Sequence, residues 1–508
     1  MKLLKSLNTR SSGITLSYVY NILNMICGVF LSSFLIKSLG GTEYGIYQTI
    51  SSFANYLVLL EFGVGTVMTR NISACRGQNS GKEKLDKNIS TLWTVSHILA
   101  LVIILFSVIF YFCIDILYSN SMTASQIISA KNIFILISGH LVISFYLQAI
   151  KGIALGFEKY SFVSIQNITR ILLRTILLII IIIFFKHSIA IAAIDFFISV
   201  ILLIFSIFYC KKKLDVTFGK FNFEKTIFKT FLPLCLAIFL QTIVNQANNN
   251  VDKFIIGIKM TPEDVTLYSV ALYIYMIFSS LSTIPISMYA PQVSMDMSRG
   301  IQKKELMKKL ISPCRLTSMI GGTVLFGFIA AGKPFINLLY GKENQAAWLI
   351  AIILMIPEFF NTINGVLINV LNYLNKRIIR SCALIITTIS NIILTIFLID
   401  IWGMFGAAVA TCICTIIGQV IIMNIYYMKN LKINIPYMFR HALKGILIYQ
   451  IIGAAAGFAA GYFIENTILS FLVSGFTFVV VFGAGYLTLG ATKEEKNKIK
   501  KIFFRREK

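Results

Sequence analysis

The stretch "SIQNITRILLRTILLIIIIIFF", residues 164–185, decides how this chain is read. It is long and apolar enough to cross a ~30 Å hydrocarbon core, which takes about 20 helical residues, yet it carries Arg170 and Arg174 one turn apart. A helix entering the membrane near Ser161 puts these groups about 13 and about 19 Å deep, at roughly 1.5 Å per residue. Arginine at such depth costs roughly 2.5 to 3.5 kcal/mol on insertion scales. Both must therefore face protein or a water-filled cavity, and they share a helix face because they are four apart.

Comparable runs fill the chain. Of its 508 residues 57% are hydrophobic and 13% charged, with mean hydropathy +0.80, against roughly 25% charged in soluble domains. The pattern predicts an all-α integral membrane protein of about fourteen transmembrane helices. The expected spans are 13–36, 46–67, 90–112, 132–150, 161–185, 189–210, 231–257, 266–290, 314–332, 346–371, 380–399, 404–427, 442–463 and 467–489. The first run is too long for a signal peptide and lacks a small-residue cleavage site.

The net charge of +25 would point to nucleic acid in a soluble protein, but its placement follows the positive-inside rule. With the N-terminus cytoplasmic, 37 of the 46 Lys and Arg residues fall inside, Lys151 and Lys159 among them. Both termini are expected in the cytoplasm, with the bilayer as partner and no nucleic acid.

"FLIKSLGGTEYGIYQ" from Phe34 and "FIIGIKMTPEDVTLYS" from Phe254 share one design, a helix that leaves the membrane, turns and re-enters through a tyrosine. Farther on, an offset of 217 residues sets "EKYSF" on "NKRII" and Ala190 and Ala193 on Ala407 and Ala410. Two six-helix lobes, 1–213 and 231–430, are thus expected as a parallel repeat about the membrane normal. A basic linker, 214–230, joins them; a helix pair, 431–490, and a basic tail, 491–508, follow. Pro285 and Pro357 inside helices mean a hinge or a static kink. Gly453, Gly457 and Gly461 form a small-residue face for the last span or for a second copy.

Several polar groups lie at membrane depth. Arg170 and Arg174 either pair with an intramembrane acid, Glu61, Asp195 or Glu358, or await an anionic ligand, for which guanidinium suits phosphate. At the 217-residue offset stand Thr387 and Asn391, so the scaffold does not require charge there. Asn245, Asn249 and Asp252 share a face in "QTIVNQANNNVDKF" and suit either a hydroxyl-rich ligand or interhelical bonding. Asn21, Asn24, Asn55 and Tyr56 extend that polar lining. Glu358 and Glu61 are candidates for ion coupling, by H+ or Na+, with pairing to arginine the alternative for Glu358. His97 and His140 read as hydrogen-bonded packers.

No loop exceeds about 25 residues, and no phosphate loop, HExxH or GxSxG is found. The chain is read as a non-enzyme with no catalytic residues. Nine scattered cysteines imply neither metal nor disulfide, and no cofactor is expected.

"SLGGTEYGIYQTISSFANYLVLLEFGVGTVMTR", residues 38–70, and "WGMFGAAVAT", residues 402–411, resemble the polysaccharide transporter family of the multidrug/oligosaccharidyl-lipid/polysaccharide exporter superfamily. The resemblance implies a Wzx-type flippase of the bacterial inner membrane. It would move an undecaprenyl-pyrophosphate-linked oligosaccharide by alternating access for O-antigen, capsule or exopolysaccharide assembly. Arg170 and Arg174 would meet the anionic substrate, and a polysaccharide polymerase and a chain-length regulator would be partners. Lipid II flippases and ion-coupled multidrug exporters are the neighbouring alternatives, a membrane glycosyl polymerase the distant one. Lipid II flippases typically carry arginines in the first two helices, and the multidrug exporters an acid in the first; this chain has neither in the expected spans.

Overall fold

In a bilayer every backbone polar group must be satisfied within the segment, which leaves helices as the solution for apolar runs of this length. The computed structural model describes residues 10–78, 81–218, 223–374, 376–493 and 495–497, and among them there is helix and no strand. The helices are α1 (Arg10–Leu39), α2 (Gly41–Ala54), α3 (Val64–Gly77), α4 (Lys82–Tyr118), α5 (Ala124–Gly156), α6 (Tyr160–Phe184), α7 (Ile189–Leu214) and α8 (Lys225–Lys259). There follow α9 (Pro262–Ser298), α10 (Lys303–Tyr340), α11 (Ala347–Tyr373), α12 (Arg377–Thr415), α13 (Met423–Asn430), α14 (Ile435–Leu443), α15 (Leu447–Tyr462) and α16 (Thr467–Gly485). Two compact units result, residues 1–266 and 267–508. The first takes in α8; most of the expected basic tail lies outside the described residues.

Eleven helices among the described residues are long and apolar enough to span, or twelve if the bent pair α14 and α15 is one span. The expected fourteen are not reached by this count, and two segments make up the difference. Of α8, only the stretch Phe228–Ile243 is counted among the described residues, as a shorter apolar helix. And Ile378–Asn430 counts once, as 53 residues, although a straight helix of that length would measure about 80 Å against a ~30 Å core.

That segment is a hairpin. Gly403 leaves helical geometry at φ 56°, ψ −141°, a region open to glycine. A Cβ on Gly406 would stand 2.1 Å from the carbonyl oxygen of Leu398, so the two arms touch backbone to backbone. Asn391 Nδ2 donates to Thr411 Oγ1 at 2.8 Å, farther from the bend.

The second expected span is likewise not one helix. It breaks into α2, a 3-10 segment Asn55–Glu61, and α3, because Phe62 and Gly63 are left-handed at φ 51° and 66°. Gly65 and Gly152 then let α3 and α5 cross closely: a Cβ on Gly152 would lie 2.3 Å from the Gly65 carbonyl oxygen. Val64, Met68, Ile150 and Ile153 fill the apolar core beside this crossing.

In the second unit, the glycine face of α15 is occupied by α16, since a Cβ on Gly457 would approach the Ser474 carbonyl oxygen to 2.6 Å. Of the two alternatives for that face, packing against the last span is the one realised. Pro285 and Pro357 stand inside the continuous helices α9 and α11.

Candidate functional site

Helices α6 and α7 run antiparallel, closed by Phe162 stacked on Tyr209 and by Gln166 Nε2 donating to Ser206 Oγ at 2.8 Å. Near the bend, Arg174 grips Asp195 at two points, Nε to Oδ1 at 2.6 Å and Nη2 to Oδ2 at 3.0 Å. Such bidentate, charge-assisted pairs are the strong ones. Tyr47 Oη adds a donor to Asp195 Oδ2 at 3.4 Å. Arg174 is therefore neutralised inside the protein, and of the three acids weighed for it, Asp195 is the partner.

Arg170 is held differently. Its Nη2 lies 3.3 Å from His140 Nε2, and a guanidinium can only donate, so that ring nitrogen accepts and the imidazole is neutral with its proton on Nδ1. Nδ1 then donates to the Asp195 carbonyl oxygen at 3.0 Å, which Ser199 Oγ also approaches at 2.8 Å. His140 is thus a relay that orients a cation. Among the described residues, Arg170 makes no ion pair with a carboxylate.

A second cation completes the site. Helix α5 continues to Gly156, so Lys151 sits more than a turn inside it, where the sequence reading ended the span at residue 150. Its Nζ donates to Asn167 Oδ1 at 2.9 Å, and Asn167 and Arg170 share a face of α6 at i, i+3. Lys151 lies in electrostatic range of both Glu61 and Arg170. Glu61 ends the 3-10 segment at the break in the second span; non-helical backbone at that depth is tolerated where it is buried in protein or lines a cavity. Arg170, Arg174 and Lys151 against Asp195 and Glu61 leave one positive charge over. Lys151, His140 and Asn167 were not singled out as site residues from the sequence, and the only cue for Lys151 was its proximity to the span.

The other polar candidates divide. On α8, Gln246 Nε2 donates to the Asn55 carbonyl oxygen at 3.0 Å and Asn250 Nδ2 to Gln246 Oε1 at 2.6 Å. Those amides are thus engaged in protein hydrogen bonds. Tyr56 packs edge-on against Phe254 and lies in electrostatic range of buried Asp252. The side chains of Asn245 and Asn249 lie outside the described residues. Asn21 and Asn24 are exposed on α1, and Ser17 of the same helix meets Ser164 Oγ at 3.0 Å, which keeps α1 against the arginine helix.

In the second unit Glu358 is not paired with Arg170 or Arg174. Its carboxylate accepts from Ser279 Oγ at 3.3 Å and from Asn361 Nδ2 at 3.0 Å, with Arg380 in electrostatic range. His97 packs as expected, with its Nδ1 2.8 Å from the Trp93 carbonyl oxygen.

Known proteins are similar to this chain at three levels. A probable low-salt glycan biosynthesis flippase of Haloferax volcanii is 27% identical over 172 residues, 34% of this chain and 36% of that protein. The alignment thus spans about a third of that relative's length. An uncharacterized membrane protein of Methanocaldococcus jannaschii is 24% identical over 389 residues, 73% of this chain and 74% of its own. Among solved structures, the lipid II flippase MurJ in an inward closed conformation superposes with a TM-score of 0.70 at 19% identity, covering 93% of this chain and 99% of its own. An inward-facing multidrug resistance transporter of the MATE family gives 0.62 at 14% identity, covering 82% and 96%. At those identities the likeness is one of fold. Residues 11–297, more than half the chain and including every member of the charged cluster, match the family described as polysaccharide biosynthesis protein, and to that family this chain belongs.

Proposed function

We infer that the protein is a flippase that carries an undecaprenyl-pyrophosphate-linked oligosaccharide across the membrane by alternating access. One observation carries this reading: the charged cluster of the first unit contains a cation, Arg170, that makes no ion pair with a carboxylate among the described residues, with a second, Lys151, close by. A guanidinium and an ammonium together match the oxygens of a pyrophosphate. The family membership and the name of the Haloferax relative support a glycan-bearing substrate. Water stripped from each sugar hydroxyl would cost several kcal/mol in hydrocarbon, which is why such a lipid needs a polar path.

Energy for the step is available without a cofactor. An anionic headgroup moving outward across an inside-negative membrane gains about 2.3 kcal/mol per charge per 100 mV. We propose Glu358, held by Ser279 and Asn361, as the group through which H+ or Na+ adds to that drive, with Glu61, set against Lys151, as the second candidate.

The test is reconstitution of the full chain in liposomes with a labelled lipid-linked oligosaccharide, lipid II or a cationic dye. Transfer of the oligosaccharide lipid, faster with an imposed potential, supports the reading. Transfer of the dye alone contradicts it.

A further inference from the structure

The second unit holds a cavity of about 340 Å³ where the ends of α10, α15 and α16 meet, at the membrane face that the charge pattern places outside. Unlike the apolar grooves that lipid tails fill, about half of its wall is polar. Lys333 and Lys342 line it together with Asn337, Gln345, Glu465 and Tyr462. The lysines make no ion pair among the described residues. Asn337 Oδ1 is buried with no hydrogen-bond partner, an unfavourable state unless a ligand or water supplies a donor.

We propose that this cavity binds the headgroup of a bilayer phospholipid, a phosphodiester whose substituent carries a hydrogen-bond donor, as in phosphatidylglycerol or phosphatidylethanolamine. The two ammonium groups meet the phosphate, and the hydroxyl or ammonium of the headgroup meets Asn337 Oδ1 and Glu465. Basic pockets between membrane helices hold anionic headgroups by the same physics, and a volume of this size suits one small ligand. The Glu465 carboxylate beside the lysines argues against a bare phosphate, whose higher negative charge it repels more than the single charge of a phosphodiester. The site is distinct in its residues from the charged cluster of the first unit, so the inference stands apart from the flippase reading.

Native mass spectrometry of the full chain in detergent, titrated with phosphatidylglycerol, phosphatidylethanolamine, phosphatidylcholine or a polyprenyl phosphate, tests it. The first two should be retained about tenfold more tightly than phosphatidylcholine, the worth of one charge-assisted hydrogen bond. Lys333→Ala with Lys342→Ala should remove that retention, and Lys333→Arg should keep it. Asn337→Val should erase the preference for donor-bearing headgroups while the lipid-free protein unfolds at the same or a higher temperature. Equal retention of all lipids, or tightest binding of polyprenyl phosphate regardless of Asn337, would overturn the proposal.

Discussion

Two hairpins, α6 with α7 and α12 with its return arm after Gly403, solve the same problem with different chemistry. At the 217-residue offset, Arg174 falls on Asn391, and the residue each one bonds across its hairpin falls within one position: Asp195 in the first, Thr411 in the second. The register of the two hairpins is therefore nearly the same. One is latched by an ion pair, the other by a neutral amide and a hydroxyl. A polar latch is evidently needed where helices meet in a membrane, where small and polar residues bind them; charge is not. The charge of the first hairpin then calls for another explanation, and Asp195 supplies it. Its carboxylate absorbs Arg174 while its carbonyl oxygen orients His140, which leaves Arg170 positioned and unspent.

The largest break in this comparison is Asp195→Asn. It leaves the Arg174 charge uncompensated, and removing one member of a buried pair costs roughly 3–5 kcal/mol. The guanidinium is 30% exposed, so the lower end, about 3 kcal/mol, is expected in detergent unfolding. Next comes Arg170→Gln, which should lower transport roughly ten- to hundredfold, the worth of a charge-assisted hydrogen bond to substrate, with unfolding temperature almost unchanged. Exchanging the latch, Arg174→Asn with Asp195→Thr, copies the second hairpin into the first. Its fold should lie within about 1 kcal/mol of the parent, because replacing both partners avoids an orphaned charge. A collapse of that double variant as severe as Asp195→Asn would refute the idea that the charge is dispensable for folding.

The smallest effect contrasts a membrane-embedded pair with one at the membrane edge. Arg315 of α10 donates to the carbonyl oxygens of His441 and Lys444 and, through Nε and Nη2, to Glu495 at 2.9 and 3.0 Å. Burial alone would raise the Glu495 carboxyl, but Arg315 and the Thr492 N–H outweigh it and hold the pKa down at about 2. A depressed acid stabilises the fold above its unfolded pKa and loses that stabilisation as pH falls toward the folded one. Parent protein should thus lose stability between the ordinary value of 4.5 and about 2. Glu495→Gln should flatten that limb of an unfolding-versus-pH curve by a modest amount, since the carboxylate is 26% exposed.

Much of this was legible beforehand, and the reasons are physical. Apolar length and cationic loops announce spans because a bilayer permits few alternatives. Arg170 and Arg174 stand out because charge at that depth demands a partner, and Asp195 was among the partners available. Lys151 did not stand out, because helix ends slide by several residues and a cation near an end reads as loop. The break at Phe62 and Gly63 was hidden by the apolar residues around it: only Gly63 advertises a left-handed conformation, and Phe62 adopts one against its own preference. Equally illegible was the relay from Asp195 through His140, since it runs through a backbone carbonyl that every residue possesses.

The central claim is that Arg170, with Lys151, holds the phosphates of the glycolipid while Arg174 belongs to the scaffold. It is tested most directly by binding of an undecaprenyl-pyrophosphate oligosaccharide to purified parent, Arg170→Gln, Lys151→Gln and the Arg174→Asn, Asp195→Thr double variant. The expected result is affinity lost about tenfold or more in each of the first two variants and kept in the double variant. Unchanged affinity in Arg170→Gln, with loss confined to the double variant, would contradict the account.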